Sequence, residues 1–502
     1  MRLSHNLLAG LANSIWLALI GLAVVPLYLK YLGIEAYGLI GFFATTQALL
    51  QLLDMGLAPT INREVARCSA SGNLKEAGKL LHSLAMVYWT MAGIIAFIVI
   101  AAAPLIAQYW IQSKTITPET ISHAVMLMGL VVASRWPIGL YQGALMGAQR
   151  LTVSSSVSIT MATVGNLGAV AVLAFVSPTI EAFFIWQAGV GLVYAIIMRW
   201  AAWWVIGRSK NIQFDIATLK RIWRFSAGMS GISLMGIIFS QMDKVLLSKF
   251  LSLEEFAHYM LATVVVSILY VLVTPMYNVV YPRFSALIVS GDIEKLGNFY
   301  KLCTRLLSIV LFPTAMMLVV FSEELLYIWT GNSTIAISTA PIVSILAIGS
   351  ALNGIMFIPH ALQLAFGMTR IPLMINGILM ILLLPLIIYF SLKYGALGGA
   401  IAWLTLHVLY VLLGTWLTHR HVLIGFGKKW LLNDLGLPLG LTVIAGIVAK
   451  YICQGNDYSI YAKLAIGSSA AFVTIVANVL LTPQLLLFIS RNVLERHDTS
   501  IK

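Results

Sequence analysis

Apolar stretches of bilayer-spanning length recur fourteen times in this chain, and they leave almost no sequence for anything else. A transmembrane helix needs about 20 largely apolar residues. Such stretches run over 7–29, 38–57, 84–107, 124–148, 153–176 and 182–206. Six more run over 225–247, 256–281, 302–321, 342–366, 371–392 and 396–417, and a last pair over 435–452 and 464–481. Hydrophobic residues make up 60% of the chain and charged residues 10%, against about 25% charged in an ordinary soluble domain. The expected fold is an all-α integral membrane protein with 14 transmembrane helices, and no soluble catalytic domain fits between them.

Lysine and arginine fall almost entirely in every second gap. With an inner amino terminus, the inner gaps and tails hold 22 of the 31 basic residues, from Arg2 to Lys502. The outer gaps hold six: Lys30, Lys114, Lys249, Lys393, Lys450 and Lys463. Arg135, Arg199 and Lys244 fall inside spans. A basic excess fixes the cytoplasmic side during insertion, so both termini are expected in the cytoplasm. The same topology, with attraction to anionic membrane lipids, accounts for the net charge of +13 without any nucleic acid. The run 7–29 is too long for a signal peptide and no A-x-A cleavage site follows it, so it reads as the first span. Cys68, Cys303 and Cys453 are too few for a disulfide framework, and no metal-ligand spacing or cofactor motif is present.

The chain also matches itself at an offset of about 220 residues. Residues 29–37 lie over 248–256, Ser71-Gly72 over Ser290-Gly291, Arg63 over Arg283, and Gly147-Ala148-Gln149-Arg150 over Gly367-Met368-Thr369-Arg370. An even number of spans separates the copies, so both enter the membrane in the same sense, a parallel repeat of the kind found in transporters. The expected organisation is a six-helix bundle at 1–206, a basic cytoplasmic linker at 207–224, a second six-helix bundle at 225–420, and two additional helices with a cytoplasmic tail at 421–502. Two parallel bundles of this type are expected to enclose a central cavity and to work by alternating access.

The residues that carry these patterns resemble a known family. Val25-Pro26-Leu27-Tyr28-Leu29-Lys30-Tyr31-Leu32-Gly33 with Ile34-Glu35-Ala36-Tyr37-Gly38, Leu53-Asp54-Met55-Gly56-Leu57-Ala58-Pro59 and Asn62-Arg63-Glu64-Val65-Ala66-Arg67 are similar to the first turns of the bacterial O-antigen and polysaccharide flippases. These belong to the multidrug/oligosaccharidyl-lipid/polysaccharide superfamily. Tyr141-Gln142-Gly143-Ala144-Leu145-Met146-Gly147, Met242-Asp243-Lys244-Val245-Leu246-Leu247 and Glu254-Glu255-Phe256-Ala257-His258-Tyr259 resemble its fourth- and seventh-helix patterns, so the likeness covers roughly the first 420 residues. The resemblance implies a flippase that moves an undecaprenyl-diphosphate-linked oligosaccharide to the periplasmic leaflet of a bacterial inner membrane. It implies a lipid-linked oligosaccharide and membrane lipids as partners, with a polysaccharide polymerase and chain-length regulator beside them. The related lipid II flippases carry a basic residue in the first helix, and 7–29 has none, which argues against lipid II.

A charge inside a span costs at least about 2.5–3.5 kcal/mol on insertion scales, so it normally faces a cavity or a partner. Arg135 lies near the middle of its span, where snorkelling is difficult, and Pro137 beside it should kink or break the helix. Its readings are a substrate-diphosphate or carboxylate contact, or a purely structural ion pair. Asp243 and Lys244 are adjacent, pointing about 100° apart on a helix, so a mutual pair is not expected and each needs its own surroundings; both are cavity candidates for the substrate, with snorkelling to the outer interface as the other reading of Lys244. Asp54 reads as a structural contact to Arg63 or a neighbouring helix, or else as a coupling acid for H⁺ or Na⁺. Arg63, Arg150, Arg283 and Arg370 stand at cytoplasmic span ends in both repeats, either ringing an inner mouth that attracts a diphosphate or marking topology. Arg199 reads as a snorkelling residue or a weaker site candidate, His360 as a hydrogen-bonded packing residue or a weaker site candidate that could titrate near neutrality, and His407 as a packing residue. Most tryptophans sit near span ends, as an interfacial belt does.

Two other classes fit less of the sequence. A cation-coupled multidrug exporter of the same superfamily would use Asp54 or Asp243, yet the in-span charges are mainly basic. A membrane-embedded polysaccharide polymerase or ligase needs a reaction site, and the outer gaps are short and carry no nucleophile–base set or paired catalytic carboxylates.

Overall fold

The computed structural model describes residues 2–54, 56–207, 235–455 and 457–482. Outside them lie the basic linker from Arg208 onward, the first part of the seventh apolar stretch, and the tail with Arg491, Arg496 and Lys502. The chain forms two compact units, Met1–Ala257 and His258–Lys502. Unit 1 contains α1 (Arg2–Leu50), α2 (Leu57–Ala70), α3 (Leu74–Tyr109), α4 (Pro118–Arg135), α5 (Ile138–Gly147), α6 (Leu151–Phe175), α7 (Ile180–Ile206) and α8 (235–250). Then α9 (Leu253–Val266) runs into unit 2, which continues with α10 (Ile268–Val289), α11 (Ile293–Val320), α12 (Ser322–Thr330), α13 (Ser333–Ile355), α14 (Phe357–Ala365) and α15 (Arg370–His421). It closes with α16 (Gly427–Lys429), a π-helical turn at Trp430–Gly436, α17 (Leu437–Gln454) and α18 (Ile460–Leu480).

Local chemistry sets many of these boundaries. Thr117, Thr179, Asp292, Asn332 and Ser459 each accept a backbone N–H in the first turn of α4, α7, α11, α13 and α18, satisfying a donor that the helix leaves open. At α11 the Lys295 side chain and backbone both hydrogen-bond the Asp292 carboxylate, which holds its pKa below the ordinary value. Unit 1 packs around Ile61 and Val65 of α2, Leu81, Leu84 and Tyr88 of α3, Tyr141 and Leu145 of α5, and Met198 of α7. Outside that core, apolar side chains point away from the protein; Phe97 is 73% exposed and Phe175 88%. Water would make such a surface an aggregation liability, and acyl chains make it the natural outer face.

The protein is all-helical, and among the described residues ten helices are long and apolar enough to cross a membrane, eleven with the α9–α10 pair, which bends by 43°. Fourteen such stretches were expected from the sequence. The difference has two visible sources. Helices α1 and α15, of 49 and 52 residues, each run through an expected gap, turning only at Gly33 (φ 79°) and Gly395 (φ 58°). The seventh stretch lies partly outside the described residues.

The repeat is legible in the backbone. Two residues past the end of α2 stands Gly72 and two past the end of α10 stands Gly291, with φ of 72° and 73°, a left-handed conformation that glycine takes without a Cβ clash. In both units the next long helix starts two residues later. The expected break at Pro137 is present, since α4 stops at Arg135 and α5 restarts at Ile138. Unit 2 repeats it between α13 and α14, with Pro359 just past the break. The matched turns Gly147–Arg150 and Gly367–Arg370 are built differently. Gln149 takes the positive φ in unit 1, and Gly367 in unit 2.

Candidate functional site

The break in the fourth span of unit 1 creates the setting for Arg135. Pro137 has no N–H to give to the preceding turn, so α4 ends and its last residue stands at the negative end of the helix dipole, where a cation is favoured. The guanidinium points into the unit. Its Nη2 donates to Gln187 Oε1 of α7, and the group lies 5.8 Å from the Phe43 ring centroid, within cation–π range. Gln187 is itself buried and donates to the Gly165 carbonyl of α6 at 3.4 Å. Tyr28 and Tyr194 lie close enough to act on the charge; Tyr28 Oη donates to Asn166 Oδ1 at 3.2 Å, and Tyr194 is hydrogen-bonded to Ser158. Room for the arginine stem comes from Gly191, where a Cβ would stand 2.3 Å from Ser134 Oγ and 3.2 Å from Arg135 Cγ. Among the described residues no carboxylate pairs with Arg135.

Asp54 ends the short 3₁₀ turn Gln51–Asp54 that follows α1. Its Oδ1 accepts from Tyr88 Oη of α3, and its Oδ2 accepts from the Ala58 N–H at 3.2 Å, closing the open start of α2. The contact to a neighbouring helix is thus present. Tyr88 tilts against Trp136 at 6.5 Å, and Trp89 Nε1 donates to Tyr141 Oη at 3.1 Å, so a band of aromatic polar groups connects Asp54 to the break at Arg135.

Asp243 and Lys244 correct the expectation drawn from their adjacency. Lys244 Nζ sits 3.2 Å from Asp243 Oδ1 and 2.8 Å from the Ser240 carbonyl. Backbone directions do diverge at neighbouring positions, but the four-carbon lysine stem is long enough to fold back around α8. The carboxylate is 2% exposed.

The four arginines shared by the repeats are exposed. In unit 1, α5 lies directly on α2, since a Cβ at Gly143 would be 2.6 Å from the Ala58 carbonyl and one at Gly147 2.3 Å from that of Asn62. Arg63, beside Asn62, and Arg150, just past α5, are thereby brought to the same end. In unit 2, α10 packs on α14 through Tyr277, which stacks on His360 at 6.3 Å and meets Phe357 edge-on. Arg283 lies further along α10, and Arg370 opens α15. His360 is half-buried in this ring stack, His407 Nδ1 donates to the Trp403 carbonyl at 2.8 Å, and Arg199 is exposed on α7. Gln187, Tyr28, Tyr88 and Tyr194 were not singled out in the sequence. Extending the test for in-span charges to in-span amides would have found Gln187.

Long apolar helices, two of them broken mid-span, with a guanidinium and an amide turned inward beside the break in unit 1, define a multi-pass membrane protein. The solved structures agree on the fold. This chain is similar to the lipid II flippase MurJ in an inward closed conformation (TM-score 0.71, 14% identity, covering 96% of this chain and 100% of that one). It is also similar to an inward-facing multidrug resistance transporter of the MATE family in the MOP superfamily (TM-score 0.62, 13% identity, covering 80% and 95%). Residues 30–338 match the family described as "Polysaccharide biosynthesis protein", and the chain belongs to that family. Two curated relatives are each 24% identical: the "Putative O-antigen transporter" of Shigella flexneri, over 81% of this chain and 97% of that protein, and the teichuronic acid biosynthesis protein TuaB of Bacillus subtilis (strain 168), over 77% and 78%.

Proposed function

We propose that the protein is a flippase that carries an undecaprenyl-diphosphate-linked oligosaccharide repeat unit, O-antigen or another surface polysaccharide, from the cytoplasmic to the periplasmic leaflet of a bacterial inner membrane by alternating access. The observation that carries the reading is Arg135, an in-span guanidinium whose hydrogen-bond partner is a neutral amide, so that its charge is left for an anion. A guanidinium fork matches phosphate oxygens bidentately. The relatives named for O-antigen transport and teichuronic acid biosynthesis, both concerned with surface glycans, support the same substrate class.

In this reading the chain crosses the membrane fourteen times with both termini in the cytoplasm, because Gly33 and Gly395 each turn a helix long enough for two spans. The organisation is six spans, a basic linker, six spans and an appended hairpin. Arg63, Arg150, Arg283 and Arg370 gather the diphosphate at the cytoplasmic ends, and Arg135 receives it. Lys244 contributes only on leaving Asp243, and Asp54, held by Tyr88 and Ala58, serves the fold rather than H⁺ or Na⁺ coupling. A polysaccharide polymerase and a chain-length regulator act on the product. The test is a deletion strain complemented with Arg135→Ala at matched expression. Surface polysaccharide should be lost and the lipid-linked repeat unit should accumulate on the cytoplasmic face; undiminished polysaccharide would overturn the proposal.

A further inference from the structure

Unit 2 contains two adjoining hollows. One, of about 520 Å³, is an apolar groove walled by α11, α13 and α17, with Met316, Val320, Leu352, Leu439, Val443 and Ile447 along it. The other, of about 610 Å³, is a polar chamber where the α11–α12 turn meets the loop between α17 and α18; Glu323, Asp457, Lys463 and Tyr458 line it. Val319, Val320 and Lys450 line both, so groove and chamber share a wall, with a lysine where they meet. Leu439 and Lys450 are eleven residues apart on α17, about 16 Å at ~1.5 Å per residue. That is about half of a ~30 Å hydrocarbon core, the depth of one leaflet.

We infer that this is a binding site for one zwitterionic phospholipid of the outer leaflet, with an acyl chain in the groove, the phosphate at Lys450 and the ammonium at Glu323 and Asp457. The order of chemistry along the site matches such a lipid: apolar, then cationic, then acidic. Lys463 is already committed to Glu324 at 3.4 Å, whereas among the described residues Lys450, Glu323 and Asp457 have no ion-pair partner. A phospholipid with an anionic headgroup would satisfy Lys450 and leave the two acids facing hydroxyls or negative charge. A diphosphate-linked glycolipid would bring two phosphates to a single lysine. The groove holds the chain and the acids choose the headgroup. The inference rests on unit 2 and, for the leaflet, on the proposed topology, and is independent of what the protein transports.

The test is native mass spectrometry of the purified full-length protein with equal mole fractions of phosphatidylethanolamine and phosphatidylglycerol. One phosphatidylethanolamine should be retained in preference by about tenfold, the effect of one charge-assisted hydrogen bond. Glu323 and Asp457 are exposed and Val443 is 49% exposed, so substitutions there leave the core in place. Glu323→Gln with Asp457→Asn should remove the preference while a bound lipid persists, and Val443→Trp should remove both lipids by filling the groove. Equal retention of the two lipids, several non-saturating adducts, or a preference unchanged in Glu323→Gln with Asp457→Asn would overturn the inference. So would displacement of the phospholipid by an equimolar polyprenyl-diphosphate glycolipid, which would make this a site for that lipid instead.

Discussion

The substitution that separates a structural from a functional arginine is Gln187→Glu. The wild-type amide accepts a hydrogen bond from Arg135 and carries no charge, so it steadies the guanidinium without neutralising it. A glutamate of nearly the same shape keeps that hydrogen bond, gives up the long donation to the Gly165 carbonyl at 3.4 Å, and adds a full ion pair inside the unit that more than offsets it. If Arg135 served only to hold α4 against α7, the variant would be as good or better. If Arg135 receives a diphosphate, the new carboxylate fills the guanidinium and repels the incoming phosphate. One hydrogen bond to a charged group is worth about 1.5–3 kcal/mol, so losing one such contact lowers export roughly 10- to 150-fold. The assay is initial export of surface polysaccharide in a deletion strain at matched protein level, with thermal unfolding of the solubilised protein alongside. The expected result is reduced export with a melting temperature no lower than wild type. Gln187→Leu is the complementary control: it strands a charged donor, and a stability loss of about 1.5–3 kcal/mol should appear as a lowered melting temperature. Full export from Gln187→Glu would refute the reasoning, because an ion-paired Arg135 would then have been shown to do everything the free one does.

Three further outcomes follow from the geometry. Glu35 is buried where α1 turns and accepts from Ser113 Oγ at 2.6 Å, Thr115 Oγ1 at 2.5 Å and the N–H groups of Lys114 and Thr115 at 3.2 and 3.1 Å; Glu35→Gln should cost about 1–3 kcal/mol and speed proteolysis in the α3–α4 loop, and an unchanged cleavage rate would contradict the clasp. Gly398→Ala would place a Cβ 1.9 Å from the Phe390 carbonyl oxygen, across the turn at Gly395; a loss of about 1–3 kcal/mol or more is expected, against little change for Gly377→Ala, where nothing lies within 4 Å. Arg63→Gln with Arg150→Gln leaves Arg67, Lys75 and Lys79 to mark the cytoplasmic side, so topology, read by cysteine accessibility, should hold while export falls about tenfold; unchanged export would leave these arginines as topology markers only.

Much of the fold was legible because bilayer solvation is a coarse constraint that composition satisfies visibly. Span positions, the proline break at Pro137 and the matched glycine turns at Gly72 and Gly291 all rest on single-residue chemistry, and the structure contains them. The separation of consecutive spans was harder to read. At Gly33 and Gly395 one glycine redirects the chain while helix continues on both sides, so the expected gaps are turns within α1 and α15 rather than loops. The site was only partly legible for a different reason. Arg135 announces itself by the cost of its charge, but what it touches depends on helix rotation, and Gln187, Phe43 and Tyr28 come from segments far apart in sequence. The pairing of Asp243 with Lys244 was missed because Cβ directions were used where side-chain length decides.

The two repeats offer an internal comparison that bears on why Arg135 carries a charge at all. Both units interrupt the corresponding helix, α4–α5 in one and α13–α14 in the other, with Pro137 and Pro359 at or just past the break. At the offset of 220, the position matching Arg135 is Ile355, fully buried. The same broken helix is therefore assembled around an aliphatic side chain, with no guanidinium, no amide acceptor and no insertion penalty of about 2.5–3.5 kcal/mol. Breaking the helix frees a backbone carbonyl and opens local space, and those consequences are common to both units. The charge is not a consequence of the break. A side chain that the architecture can do without, placed at the cation-preferring end of α4 and steadied by a neutral partner, is what the proposed role requires: a charge held ready for an anion from outside the fold.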